Sequence, residues 1–161
     1  GPWALGLLRS APAAGATTMA AVLAWRPISR WQGRWLLGSV TVFGLATIGF
    51  GLSRTMVPAL LSLFVVGASD MMSVVVRQTV VQLATPSAMR GRVSAVNLVF
   101  VGASNELGEF ESGVTASWLG TVRAIVAGGV GSVLVAVFWI WGFPEVFRLD
   151  RVKPAEEAAR S

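Results

Sequence analysis

The chain has 161 residues, 54% of them hydrophobic and 13% charged, with a mean hydropathy of +0.68. Globular domains carry about 25% charged residues, so a water-facing surface cannot be assembled from this composition. With no Cys and no His, disulfide frameworks, thiolate nucleophiles, His-dependent triads and Cys/His zinc sites are excluded, and no enzyme activity, metal or bound cofactor is expected.

In chain order, apolar stretches occupy 5–25, 35–53, 57–83, 93–118 and 124–144, separated by polar joints at 26–34, 53–55, 85–92 and 120–123. The first carries Arg9 and a run of small residues at 11–18, a surface another helix can approach closely; Pro12 within it is expected to kink the helix. The second holds no charge and, at 1.5 Å per residue, makes about 28 Å of helix against a hydrocarbon core of about 30 Å. The third contains Asp70 and Arg77, and the fourth Glu106, Glu109 and Glu111. The fifth is again free of charge, up to the stop at Pro144 and Glu145.

The expected architecture is therefore all-α: a polytopic transmembrane bundle of about five spans over 1–146, followed by a mobile cytoplasmic tail at 147–161. Five buried helices of a soluble protein are excluded by the shortage of polar surface to cover them. No signal-peptide pattern opens the chain, and its first residue, Gly1, reads as a truncation. Glycines 44, 49 and 51 in the second stretch, and 128, 129 and 131 in the fifth, are expected to serve helix packing. A phosphate loop would need a preceding strand and a lysine.

Alternating spans place Arg26, Arg30, Arg34, Arg90, Arg92, Arg148, Arg151, Lys153 and Arg160 on one side, and only Arg9, Arg54 and Arg123 on the other. The positive-inside rule makes the first side cytoplasmic, with the C-terminus there. The same division removes nucleic acid as a partner despite the net charge of +5, because the basic residues are spread over short loops and a tail. Trp3, Trp25, Trp31, Trp35 and Trp118 fall near span ends, as an interfacial aromatic belt requires.

Each charge at mid-span adds roughly 2.5–3.5 kcal/mol to insertion, so the charged spans must turn those groups toward protein or water. On the third, Asp70, Ser73 and Arg77 share one stripe, with Arg9 as a candidate partner. On the fourth, Glu106 and Glu109 share a face that Glu111 does not; Glu106 is expected to be the deepest and the one able to exchange a proton. The charge-free second and fifth spans are expected to be lipid-facing supports. A structural role for the carboxylates, pairing with an arginine elsewhere and fixing register, fits the same pattern.

Two strings carry a resemblance: Leu83-Ala84-Thr85-Pro86 followed by Met89-Arg90-Gly91-Arg92-Val93-Ser94-Ala95-Val96-Asn97, and Gly102-Ala103-Ser104-Asn105-Glu106-Leu107-Gly108-Glu109-Phe110-Glu111-Ser112-Gly113. They resemble the major facilitator superfamily, in the branch of enterobactin exporters and macrolide-efflux permeases. The resemblance implies that the chain is the last five of twelve helices, with the second and fifth present here peripheral, and that two six-helix bundles rock about a midplane cavity. It departs from the family at 29–34, where Ser29-Arg30-Trp31-Gln32 lacks the acid and the spacing of the cytoplasmic gate signature and only Gly33-Arg34 echo it.

The functional expectation is the C-terminal part of a bacterial inner-membrane secondary transporter. It would export a small amphipathic solute such as a siderophore or drug, coupled to an ion gradient, with the proton as coupling ion. Asp70, Arg77, Asn105, Glu106, Glu109 and Arg9 are the candidate pathway residues, and Arg34, Arg90 and Arg92 the candidate loop or gate residues. The partners are the bilayer, the solute and the missing N-terminal helices. The alternative is a non-transporting membrane scaffold or assembly subunit whose charges only mate with a partner's helices.

Overall fold

Long unbroken runs of Val, Leu, Ala and Phe leave the backbone one way to satisfy its polar groups without water, the α-helix. The computed structural model describes residues 1–148 together with Pro154, Glu157, Ala159 and Arg160. Its long helices are α1 (Pro2–Trp25), α2 (Gln32–Leu52), α3 (Met56–Ala84), α4 (Arg90–Leu119) and α5 (Thr121–Gly142), followed by one turn, α6 (Pro144–Phe147). Among the described residues there is no strand. The tail expected to be mobile, 147–161, lies largely outside the described residues.

Local chemistry sets the boundaries. Pro2 begins α1, where its missing N–H costs nothing. Thr85 is extended because Pro86 follows it, and α3 stops there. Gly120, at φ 84°, both ends α4 and starts α5, in a conformation that a side chain would resist. α1 continues through Pro12 as one helix. Serine and threonine hydroxyls inside the helices donate to carbonyls of the preceding turn, as Thr17 Oγ1 does to Ala13 (2.8 Å), Thr47 Oγ1 to Phe43 (2.8 Å) and Thr79 Oγ1 to Val75 (2.8 Å). Apolar helices thereby carry hydroxyls without seeking an outside partner.

Three helices, α2, α3 and α5, are long and apolar enough to cross a membrane. α1 and α4 have the length, at 24 and 30 residues, but are diluted by Gly, Pro, Thr and Arg9 in the one and by carboxylates and arginines in the other.

The helices pack as a row: α1 along α3, α3 along α2, and α2 along α5, with a lighter contact from α5 to α4. α1 and α3 run parallel, since Gly15 meets Phe64 and Ala68 while Leu23, two turns on, shares a pocket with Val75, Val76 and Thr79. α2 lies antiparallel to both its neighbours, Gly49 meeting Ser62 on one side and Gly51 meeting Ile125 and Val126 on the other. Within the chain α2 and α5 are each flanked on two sides, and α1 and α4 form the ends of the row.

Glycine makes the close contacts. A Cβ on Gly15 would strike the Phe64 carbonyl, and one on Gly67 the Pro12 carbonyl. At the α2–α5 crossing a Cβ on Gly44 would stand 2.8 Å from the Gly129 oxygen, and one on Gly129 2.7 Å from the Gly44 oxygen. Gly128 and Gly131 face open space, so of the α5 glycines singled out by sequence only Gly129 packs. Substituting Gly67 or Gly129 by Leu must push two backbones apart. We expect a loss of about 3 kcal/mol in detergent unfolding for either, with Gly128→Leu and Gly131→Leu within about 0.5 kcal/mol of the parent.

Candidate functional site

A row one helix thick has two faces, and α3 shows a different chemistry on each. Asp70, Ser73 and Arg77 lie on one side, with both charged side chains exposed. Ala68 and Met72, two residues either side of Asp70, stand about 160° around the helix and line an apolar groove on the other side. The Ser73 hydroxyl donates to the Asp70 main-chain carbonyl (2.8 Å), leaving the Asp70 carboxylate to other partners.

The charged stripe continues downward. One turn past Arg77 it reaches Val81, which with Gln78 and Gln82 forms one wall of a cleft of about 180 Å³; Ser94, Asn97 and Leu98 of α4 form the other. Four of these six residues bear amide or hydroxyl groups, so the stripe leads into a hydrogen-bonding space between α3 and α4. α3, at 29 residues, is about 44 Å long and exceeds the hydrocarbon thickness of about 30 Å. Gln78, Gln82 and Ser94 were not among the residues expected from sequence. Their signal was weak, because a polar residue in the last third of a long helix is indistinguishable from an interfacial one until the helix length is fixed.

The other expected residues do not join this site. Arg9 lies six residues before Gly15 and Asp70 three after Gly67. Since those glycines mark the crossing of parallel helices, the two charges are about 13 Å apart along the helix axes. Arg9 is therefore not the partner of Asp70, and both are exposed. On α4, Asn97 turns toward α3, whereas Glu106 points about 180° and Glu109 about 120° away from it. All of 102–113 is exposed, including Asn105, Glu106, Glu109 and Glu111, and a Cβ on Gly102, Gly108 or Gly113 would meet nothing within 4 Å. Glu106 is exposed and lies near the midpoint of α4. Among the described residues no three acidic groups converge.

The loop arginines divide. Arg90 turns back on α3: its Nε donates to the carbonyls of Gln82 (3.2 Å) and Thr85 (3.3 Å). Gln82 lies in the last turn of α3, its carbonyl also accepting the Thr85 N–H (3.4 Å), and Thr85 is the capping residue, so the guanidinium complements the negative end of the helix. Arg92 is exposed beside an apolar hollow lined by Met89, Val93, Val96 and Phe100. Arg34 stacks on Trp31, its Cζ 4.2 Å from the ring centroid, with Arg30 at 5.9 Å. Trp31 itself is left-handed, at φ 58°, an uncommon state for a bulky residue.

One residue escaped the sequence reading altogether. Gln32, 3% exposed, has its Oε1 buried without a hydrogen-bond donor, beside a pocket of about 110 Å³ lined by Leu23, Pro27, Val75, Val76 and Thr79. A glutamine following a tryptophan in a polar joint gave no sign that it would be covered by α1 and α3.

Comparison with family models, curated proteins and solved structures finds no match to this chain. Arg90 gives a direct test of the α3 end. In Arg90→Met, amide hydrogen exchange over 82–85 should quicken by about tenfold, the equivalent of one charged hydrogen bond, while Arg92→Met leaves it unchanged.

Proposed function

We propose that this chain is the C-terminal part of a secondary transporter of the major facilitator type, with α1 to α5 all spanning the bilayer of a bacterial inner membrane and the C-terminus in the cytoplasm. The observation that carries the reading is the uncovered middle of α4. Carboxylates at 106, 109 and 111 facing lipid would each cost roughly 2.5–3.5 kcal/mol, and the three open glycines among them offer a close-packing surface. A helix of that kind is suited to be covered by a second bundle or by a water-filled cavity. The Asp70–Arg77 stripe and its continuation into the Gln78–Asn97 cleft support the same reading, because they supply a polar track along one face of the row.

In this reading the solute is small and amphipathic, such as a siderophore or drug, and moves outward by alternating access between this row and the helices that precede it. Asp70, Arg77 and the α3–α4 cleft border the path. Asn105, Glu106 and Glu109 meet the second bundle or the cavity, and a carboxylate among them exchanges the coupling proton. No bound cofactor is required. Arg34 and Arg92 remain on the cytoplasmic face, and Arg90 holds the end of α3.

The test is efflux of a fluorescent amphipathic dye from cells carrying the complete protein. Asp70→Asn and Glu106→Gln are each expected to lower the rate by at least tenfold at unchanged membrane level. Parental rates in both would remove those carboxylates from coupling and binding. Proteoliposomes in which dye never drives proton movement would instead favour a scaffold whose charges only mate with neighbouring helices.

A further inference from the structure

α4 has a second face that the transport reading does not use. Val93, Val96, Phe100, Ala103 and Leu107 recur at spacings of three and four, so they share one side of the helix, free of charge over about 21 Å. Glu106 and Glu109 stand about 100° and 160° around the helix from the middle of that stripe. Val96, Phe100 and Leu107 are 56%, 69% and 69% exposed, and the described residues leave the stripe uncovered. A carboxylate face must be kept from hydrocarbon, whereas an uncharged apolar one can lie against it, so the stripe is the side of α4 suited to acyl chains.

The first turns of this stripe enter a hollow of about 510 Å³, lined by Val81 of α3, by Met89, and by Arg92, Val93, Val96 and Phe100 of α4. Arg92 is itself part of the lining. It is exposed and makes no hydrogen bond or ion pair among the described residues, unlike Arg90, whose Nε is taken up by the end of α3. Phe100 lies eight residues, about 12 Å, beyond Arg92 along the axis. A free cation at one end with an apolar wall continuing from it is complementary to a molecule with an anionic head and an alkyl chain. No acidic residue lines the hollow, so a cationic head would find no counterpart there. Guanidinium suits phosphate in particular, through its planar array of donors.

We propose that this hollow binds an anionic phospholipid of the bilayer, its phosphate meeting Arg92 and one acyl chain running along Val93, Val96 and Phe100 toward Leu107. The site rests on α4 crossing the bilayer, as proposed for the whole bundle, and is independent of transport. A lipid held there fixes the rotation of α4, keeping its uncharged stripe toward hydrocarbon and Glu106 and Glu109 away from it.

The experiment uses the purified chain in phosphatidylcholine nanodiscs doped with phosphatidylglycerol or phosphatidylcholine that carries a diazirine midway along one acyl chain, with the labelled residues located by mass spectrometry after irradiation. The phosphatidylglycerol probe should label the 93–107 stripe at about tenfold lower mole fraction than the phosphatidylcholine probe. Arg92→Gln should narrow that preference about fivefold, the worth of one arginine near an anionic surface. Arg123→Gln, an equally exposed arginine at the start of α5, should leave it unchanged. Both variants alter exposed side chains and leave the helix contacts in place. Equal labelling of the stripe by the two lipids overturns the proposal while keeping α4 in the bilayer, as does a preference that survives Arg92→Gln. Label on α2 and α5 with none on the stripe from either probe overturns it together with the spanning of α4.

Discussion

Contact of backbone with backbone at two glycine pairs joins α1 to α3 and α2 to α5, and the packing of α2 along α3 links the two halves. Between apolar helices surrounded by lipid tails there is no hydrophobic drive to associate, and cohesion comes from how closely the main chains approach. Gly15 with Gly67, and Gly44 with Gly129, supply that approach, each pair bringing a carbonyl of one helix to where the other lacks a side chain. Among the described residues no large side chain is fully enclosed, and the most covered apolar ones, Val76 and Ala136, lie in α3 and α5. The architecture is a set of seams with no central core.

From those seams follows the separation of chemistry. α3 touches α1 and α2 along two of its sides, leaving one exposed side for Asp70 and Arg77 and the opposite one for the Met- and aromatic-lined groove. Each hydroxyl tied to its own helix keeps polar atoms from blurring that division. α4 stands outside the pattern. Its first turns face α3 across the cleft that Asn97 lines and it touches α5, while its middle, 102–113, is exposed among the described residues.

Much of this was legible in the sequence. The helices could be placed because long, mainly apolar runs ended at Pro86, Gly120 and Pro144, each a residue with a backbone reason to break a helix. The angular relation of Asp70 to Arg77, or of Glu106 to Glu109, also follows from a fixed 100° per residue. What a single helix cannot disclose is its axial register against another, and for that reason Arg9 was matched with a carboxylate it does not reach. Nor could the packing glycines be told from the open ones, since Gly128 and Gly129 are adjacent in the chain and differ only in which way they face. Arg90 and Gln32 were obscured by the turns that precede them, whose path decides whether a polar residue points outward or folds back.

The order of contacts also bears on how such a chain is made. α1 pairs with α3, and α2 completes its contacts only with α5. Gly15 precedes Gly67 by 52 residues and Gly44 precedes Gly129 by 85. At ribosomal rates of about 5–20 residues per second, the first pair waits about 3–10 s and the second about 4–17 s after the earlier glycine has been synthesised. During that interval the nascent helices stand beside the translocation machinery without their final neighbours, and their glycine-lined sides are exposed to whatever that machinery presents.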